Sequence, residues 1–103
     1  MKSSRIELSP QVADFLRKLA PAPRKTVRMA LRALAQDEGD ILPLEKPLEG
    51  FYRLRVGRYR VVFHYVQQDG IRVARCDYAE RRPLVYECFR DWVEGHSPGL
   101  PPP

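Results

Sequence analysis

Apolar and polar residues alternate along this chain in a pattern that predicts seven short elements. Arg5-Ile6-Glu7-Leu8 has the two-residue period of a strand. Ser9-Pro10 then supplies a helix start, with Ser9 as N-cap and Pro10 at the first helical position, where its missing N–H costs no hydrogen bond. Val12, Phe15, Leu16 and Leu19 follow at helical spacing and form one apolar stripe. Pro21-Ala22-Pro23 is expected to break that helix, and a second is predicted from about Pro23 to Gln36. Val27, Ala30, Leu31 and Leu34 lie on one of its faces, and Arg24, Lys25, Arg28 and Arg32 mostly on the other, with Gly39 beyond its end. Two helices joined by so tight a turn form a hairpin, and its apolar stripes need a sheet to cover.

From Asp37 to Glu49 the chain is acidic, with Asp37, Glu38, Asp40, Glu45 and Glu49 against Lys46, and Pro43 and Pro47 predict an irregular loop. The stretch from Gly50 to Tyr65 reads as two strands around a turn at Gly57. Because successive strand residues point to opposite faces, Tyr52, Leu54 and Val56 would line a core while Arg53 and Arg55 project away from it. On the next strand Tyr59, Val61, Phe63 and Tyr65 take one face and Arg58, Arg60 and His64 the other. Gln67-Gln68-Asp69-Gly70 is a turn signal, and Ile71 to Cys76 is another strand with a charged face. Val85, Cys88, Phe89 and Trp92 have the spacing of a short last helix, and His96 to Pro103 reads as a proline-rich tail. The expected order is β-α-α-β-β-β-α. It makes an α+β fold, with an antiparallel or mixed sheet and an N-terminal helical hairpin on one face. Residues 1–95 would form one domain and 96–103 a disordered tail.

Charge changes what the exposed sheet face is expected to meet. The 103 residues suffice for one core, the formal net charge is +5, and Arg supplies 14 of the 18 Lys and Arg residues. The pI of about 9.6 lies in the range of nucleic-acid-binding domains. Arg53, Arg55, Arg58 and Arg60 fall within eight residues with no acid among them. A solvated sheet face explains one or two such residues, and a GC-rich gene also favours Arg. Four together favour an anion-binding surface, since each guanidinium offers a planar fork of donors to phosphate oxygens. Cys76 and Cys88 fit no zinc-ligand spacing and read as buried thiols of a reducing cytoplasm. With no charged-then-apolar leader and no long apolar run, the chain is expected to be cytoplasmic and not membrane-bound.

The opening Ile6-Glu7-Leu8-Ser9 to Leu19 resembles the RelE/ParE superfamily of toxins from type II toxin–antitoxin systems. So do Pro47-Leu48-Glu49-Gly50, the strand pair Tyr52-Arg53-Leu54-Arg55-Val56-Gly57-Arg58-Tyr59-Arg60-Val61-Val62-Phe63, and Arg82-Pro83-Leu84-Val85-Tyr86. The resemblance covers about residues 4 to 92. It implies a toxin neutralised by a cognate antitoxin and working without cofactor or metal. Two activities occur among such toxins: cleavage of mRNA on the ribosome, and poisoning of DNA gyrase without nuclease chemistry. The resemblance favours the endoribonuclease. A basic domain that only binds nucleic acid is a further alternative.

In RNA cleavage the 2′-hydroxyl attacks the adjacent phosphate, which calls for a base, a leaving-group acid and cations at the transition state. By resemblance Arg60 would stabilise the phosphate, and Arg53 and Arg55 stand where RelE-like members carry basic residues, with Arg55 counted among the catalytic candidates. Arg82 and Tyr86 fall on the arginine and tyrosine of the family's His-Arg-x-x-Val-Tyr signature. Arg58, Arg72, Arg75 and Arg81 complete the expected nucleic-acid contacts. The signature histidine is replaced by Arg81, and the strand before it is about three residues longer than usual. The base is therefore open among His64, Glu45, Glu49 and Glu80. An acidic antitoxin segment is expected to fold over the cationic face as an amphipathic helix.

Overall fold

Ser9 converts the first strand into the first helix. Its hydroxyl accepts from the Val12 N–H at 3.2 Å and donates to the Asp77 carbonyl at 2.8 Å. The computed structural model describes residues 3–81. They form β1 (Arg5–Leu8), α1 (Pro10–Lys18), α2 (Pro21–Leu34), β2 (Asp40–Pro43), β3 (Tyr52–Val56), β4 (Tyr59–Gln68) and β5 (Ile71–Arg81). The helix expected around Val85 to Trp92, the tail from His96, and Cys88 lie outside the described residues.

The five strands make one sheet in the order β1-β5-β4-β3-β2. β1 runs parallel to β5 and the other neighbours are antiparallel, so the sheet is mixed. Both helices pack on one face. Val12, Leu16, Val27, Leu31 and Leu34 meet Leu54, Val56, Val61, Phe63, Ala74, Cys76 and Ala79, with Tyr52, Tyr59 and Tyr65 around them. The alternation expected of the two strands around Gly57 therefore holds. Gly57 itself turns the chain at φ 58°, a left-handed conformation that glycine adopts without strain. Beyond the end of β1, the Gln11 side-chain amide bonds both the carbonyl and the N–H of Ala79 at 2.8 Å, so one side chain continues the ladder along β5.

Three sequence expectations need correction. Pro21 opens α2 rather than ending a loop before it, because a first helical turn has no use for that N–H. Arg24 then turns back on α1 and donates to the carbonyls of Leu16, Arg17 and Leu19, capping its end. Asp40–Pro43 is not irregular. It pairs with β3 as the outermost strand, where a terminal Pro43 costs no bond on the open side. The last described strand runs on from Cys76 to Arg81, past an irregularity opposite Val62 and Phe63. Val62 pairs with Tyr78 and Phe63 with Cys76, which leaves Asp77 as the extra residue of a β-bulge.

Candidate nucleic-acid interface

The face of the sheet turned away from the helices carries the arginines. Pairing across strands places Arg55 beside Arg60 and Arg60 beside Glu80 in one row. The next row holds Arg53, Val62 and Tyr78, and the one after it His64 and Arg75. This face is not open along its whole length. The segment from Leu44 to Phe51 folds back across it, and Leu48 and Phe51 pack on Val62, with Leu44 and Tyr78 beside them. Glu45 and Glu49 sit on this covering segment and are exposed.

The charges are balanced by acids distant in sequence. Asp40 on β2 stands across from Arg55 in the ladder, and its carboxylate lies 2.5 Å from Arg55 Nε and 3.7 Å from Arg53 Nη1. That last separation is too long for a hydrogen bond, and Arg53 Nη1 is buried with no hydrogen-bond partner among the described residues. A buried donor left unmade costs about 1–3 kcal/mol, a cost an anionic oxygen would remove. Arg60 is only 5% exposed. Its Nη1 donates to the carbonyls of Gly57 and Tyr59 at 2.7 and 2.9 Å, which fixes the guanidinium at the turn. Arg58 projects from the same turn and is exposed.

His64 lies in the sheet interior rather than on a wet strand face. It is 8% exposed, its Nδ1 lies 2.6 Å from Asp77 Oδ2, and the Phe51 ring meets it edge-on at 5.5 Å. Burial pushes the Asp77 carboxyl up from its ordinary value of 3.8, against the opposing pull of the His64 hydrogen bond and charge and of Arg75. Folding therefore favours the protonated Asp77. The group's contribution is fully present below about pH 3.8 and is lost as pH rises through the raised folded value. Comparing urea stability of wild type and Asp77→Asn across this range should show a falling component in the wild type alone. A difference between them that is flat with pH would contradict the raised carboxyl.

The other expected residues are divided by the ladder. Arg75 is on the arginine face but pairs with Glu7 at 3.1 Å. Arg72 does not share that face, because its position alternates with Ala74 of the helix-side core. There it bonds Ser4 and Asp37 and lies over the Tyr65 ring at 4.5 Å. Arg81 ends β5, also on the helix side, opposite Tyr59. Glu80 is half-buried beside Arg60, and its Oε1 accepts from the Arg81 N–H. Arg82 and Tyr86 lie outside the described residues. Burial raises the Cys76 thiol to about 12, so it stays protonated and is no nucleophile. Sequence reasoning did not find Asp40 and Asp77, since neither is near in the chain to the group it serves. Among the described residues no cluster of His, Cys, Asp or Glu could hold a metal, and no helix is long and apolar enough to cross a membrane.

The chain has the fold of the RelE, YoeB and ParE toxins. It is similar to the RelBE2 toxin–antitoxin complex from Mycobacterium tuberculosis, with TM-score 0.66, 20% identity and coverage of 78% of this chain and 99% of that one. A YoeB/ParE toxin from Agrobacterium tumefaciens gives TM-score 0.63 at 12% identity, over 76% of this chain and 98% of that one. An archaeal RelE–RelB complex from Pyrococcus horikoshii OT3 gives 0.60 at 24% identity, over 79% and 97%. No family sequence model and no curated relative matches the chain.

Proposed function

We propose that this protein is the toxin of a toxin–antitoxin pair of the RelE/ParE family, and that it cleaves mRNA on the ribosome. The observation that carries the reading is the clustering of Arg53, Arg55 and Arg60 on one sheet face, where Arg53 Nη1 lies near Asp40 but makes no hydrogen bond among the described residues. Three guanidinium groups on neighbouring strands suit a phosphate and the negative charge that grows on it during cleavage. Arg60 would hold the scissile phosphate and Arg53 and Arg55 the backbone beside it, with Arg58 and Arg75 at the margins. Arg82 and Tyr86, outside the described residues, remain the further catalytic candidates that the resemblance implies. For the base, His64 has a carboxylate partner to orient it, while Glu80 stands directly beside Arg60. A cognate antitoxin would bind and silence the protein; two of the structures that share its fold are toxin–antitoxin complexes.

The test is single-turnover cleavage of ribosome-bound mRNA, read against an antitoxin-bound control. A second reading, inhibition of DNA gyrase, draws on the likeness to the YoeB/ParE toxin. Gyrase inhibition without mRNA cleavage would replace the first reading with the second, and RNA binding without either activity would leave a binding domain. Salt dependence gives an independent check. Three phosphate contacts predict a slope near −2 in log affinity against log salt for single-stranded RNA, about a 20-fold loss between 50 and 200 mM. A flat titration would remove the arginine face from RNA binding.

A further inference from the structure

One extra residue in β5 decides which of its later side chains reach the arginine face. Ala74 and Cys76 of that strand face the helices, and strict alternation would send Tyr78 and Glu80 there too. Asp77, the extra residue of the bulge, reverses the order. Ala79 goes to the helix-side core, Tyr78 joins Val62 on the opposite face, and Glu80 comes to stand beside Arg60. The contact between His64 Nδ1 and the Asp77 carboxylate at 2.6 Å holds the bulge in place. One row of the sheet then reads Asp40, Arg55, Arg60, Glu80 across its strands. Residues directly opposite in such a ladder have Cβ atoms about 4.5–5.5 Å apart, so the Glu80 carboxylate and the Arg60 guanidinium reach the same nucleotide. Glu80 is half-buried, and the Arg81 N–H fixes its Oε1 at 3.1 Å.

We propose that Glu80 is the general base that takes the 2′-hydroxyl proton, an assignment that rests on the mRNA-cleavage reading above. The 2′-oxygen bonds to phosphorus as its proton passes to the Glu80 carboxylate, and the P–O5′ bond breaks. The 5′-oxygen leaves with the electron pair and takes a proton from water, and Glu80 returns its own proton to solvent. The products are a 2′,3′-cyclic phosphate and a 5′-hydroxyl. Arg60 neutralises the phosphate while the base stands at its side. His64 is placed for a different task. It lies four residues along β4 from Arg60, about 13 Å at roughly 3.3 Å per residue. Leu48 and Phe51 pack on Val62 between the two, and Phe51 meets the imidazole edge-on. Asp40, at the far end of the row, stands two strands from Arg60, with Arg55 Nε 2.5 Å from its carboxylate. Among the described residues, the groups that face Glu80 are Arg60 of β4 and, beyond it, Arg55 of β3, with Tyr78 and Arg81 flanking it on β5.

The experiment is the pH–rate profile of single-turnover cleavage of ribosome-bound mRNA, with the folding of each variant checked by thermal melting. The wild type should show a rising limb on the acid side. Glu80→Gln should slow cleavage by about 10²–10⁴-fold and abolish that limb. Its affinity for the 2′-deoxy form of the same message, which cannot be cleaved, should hold or tighten, because an acid beside Arg60 is gone. Glu80→His should recover part of the rate and move the limb to higher pH, since a free imidazole titrates near about 6.5 and a free glutamate near about 4.3. Recovery of this kind belongs to a proton acceptor and not to a structural contact. Two results would overturn the assignment while keeping the nuclease reading: Glu80→Gln as fast as a cleaving wild type, or a limb lost in His64→Gln, Glu45→Gln or Glu49→Gln and kept in Glu80→Gln. A well-folded wild type that cleaves nothing at any pH would overturn both.

Discussion

Arg60→Ala is expected to slow single-turnover cleavage of ribosome-bound mRNA by about 10²–10³-fold, the usual cost of losing one preorganised transition-state donor. The size follows from where the guanidinium is held. Arg60 stands between Arg55 and Glu80 in one cross-strand row, and the Gly57 and Tyr59 carbonyls fix its Nη1. A cation already fixed by the fold needs no reorientation as charge builds on the phosphate. The same bonds define the control, since alanine also removes two turn contacts worth about 0.5–1.5 kcal/mol each. Thermal melting of the variant should therefore fall modestly while cleavage falls by orders of magnitude. Arg60→Lys keeps the charge but loses the planar fork, so its rate should lie between the two. If Arg60→Ala cleaves at the wild-type rate, Arg60 belongs to the turn and not to the chemistry.

The largest loss of stability is expected from Phe63→Ala, about 3–5 kcal/mol in urea unfolding, with the cavity adding to the lost burial. Phe63 is fully buried on β4, with two strands on each side of it in the sheet. Its ring stacks on Tyr52 at 5.6 Å and meets Tyr65 edge-on at 5.3 Å. These rings tie β3 and β4 together behind the arginines, so the substitution also loosens the scaffold that spaces Arg53, Arg55 and Arg60. Activity lost in Phe63→Ala should accordingly follow the fraction folded, unlike the loss in Arg60→Ala. A Phe63→Ala protein as stable as wild type would mean that the helix side is not the main core.

The toxins that share this fold are less than 25% identical to the chain, so the fold is common ground while the chemistry has to be argued from its own residues. At the arginine face this chain offers strand arginines where a base would be useful, and it places a histidine–aspartate pair under Phe51. An arginine stays protonated at neutral pH and cannot accept the 2′-hydroxyl proton. Under the proposed nuclease reading the acid–base partner would be one of the carboxylates or His64. Comparing pH–rate profiles of His64→Gln and Glu80→Gln separates the two candidates.

The sequence by itself determined whatever depends on neighbours a few residues apart. The Ser9-Pro10 start, the helical stripes, and the alternation that sends Leu54, Val56, Val61 and Phe63 inward and Arg53, Arg55 and Arg60 outward are all local periodicities. Tertiary structure alone decided what each outward residue meets. Asp40 reaches Arg55 only because a four-residue edge strand completes itself against β3, a pairing the acidic, proline-containing segment does not announce. Asp77 reaches His64 through a bulge opposite Val62 and Phe63. One extra residue there shifts which face each later position of β5 occupies, and Arg72, before the bulge, lies with the helix-side core rather than with Arg60. Burial, unused donors and shifted proton affinities all depend on groups that non-local pairing brings together. A pattern of period two or 3.6 carries no record of which distant residues will meet.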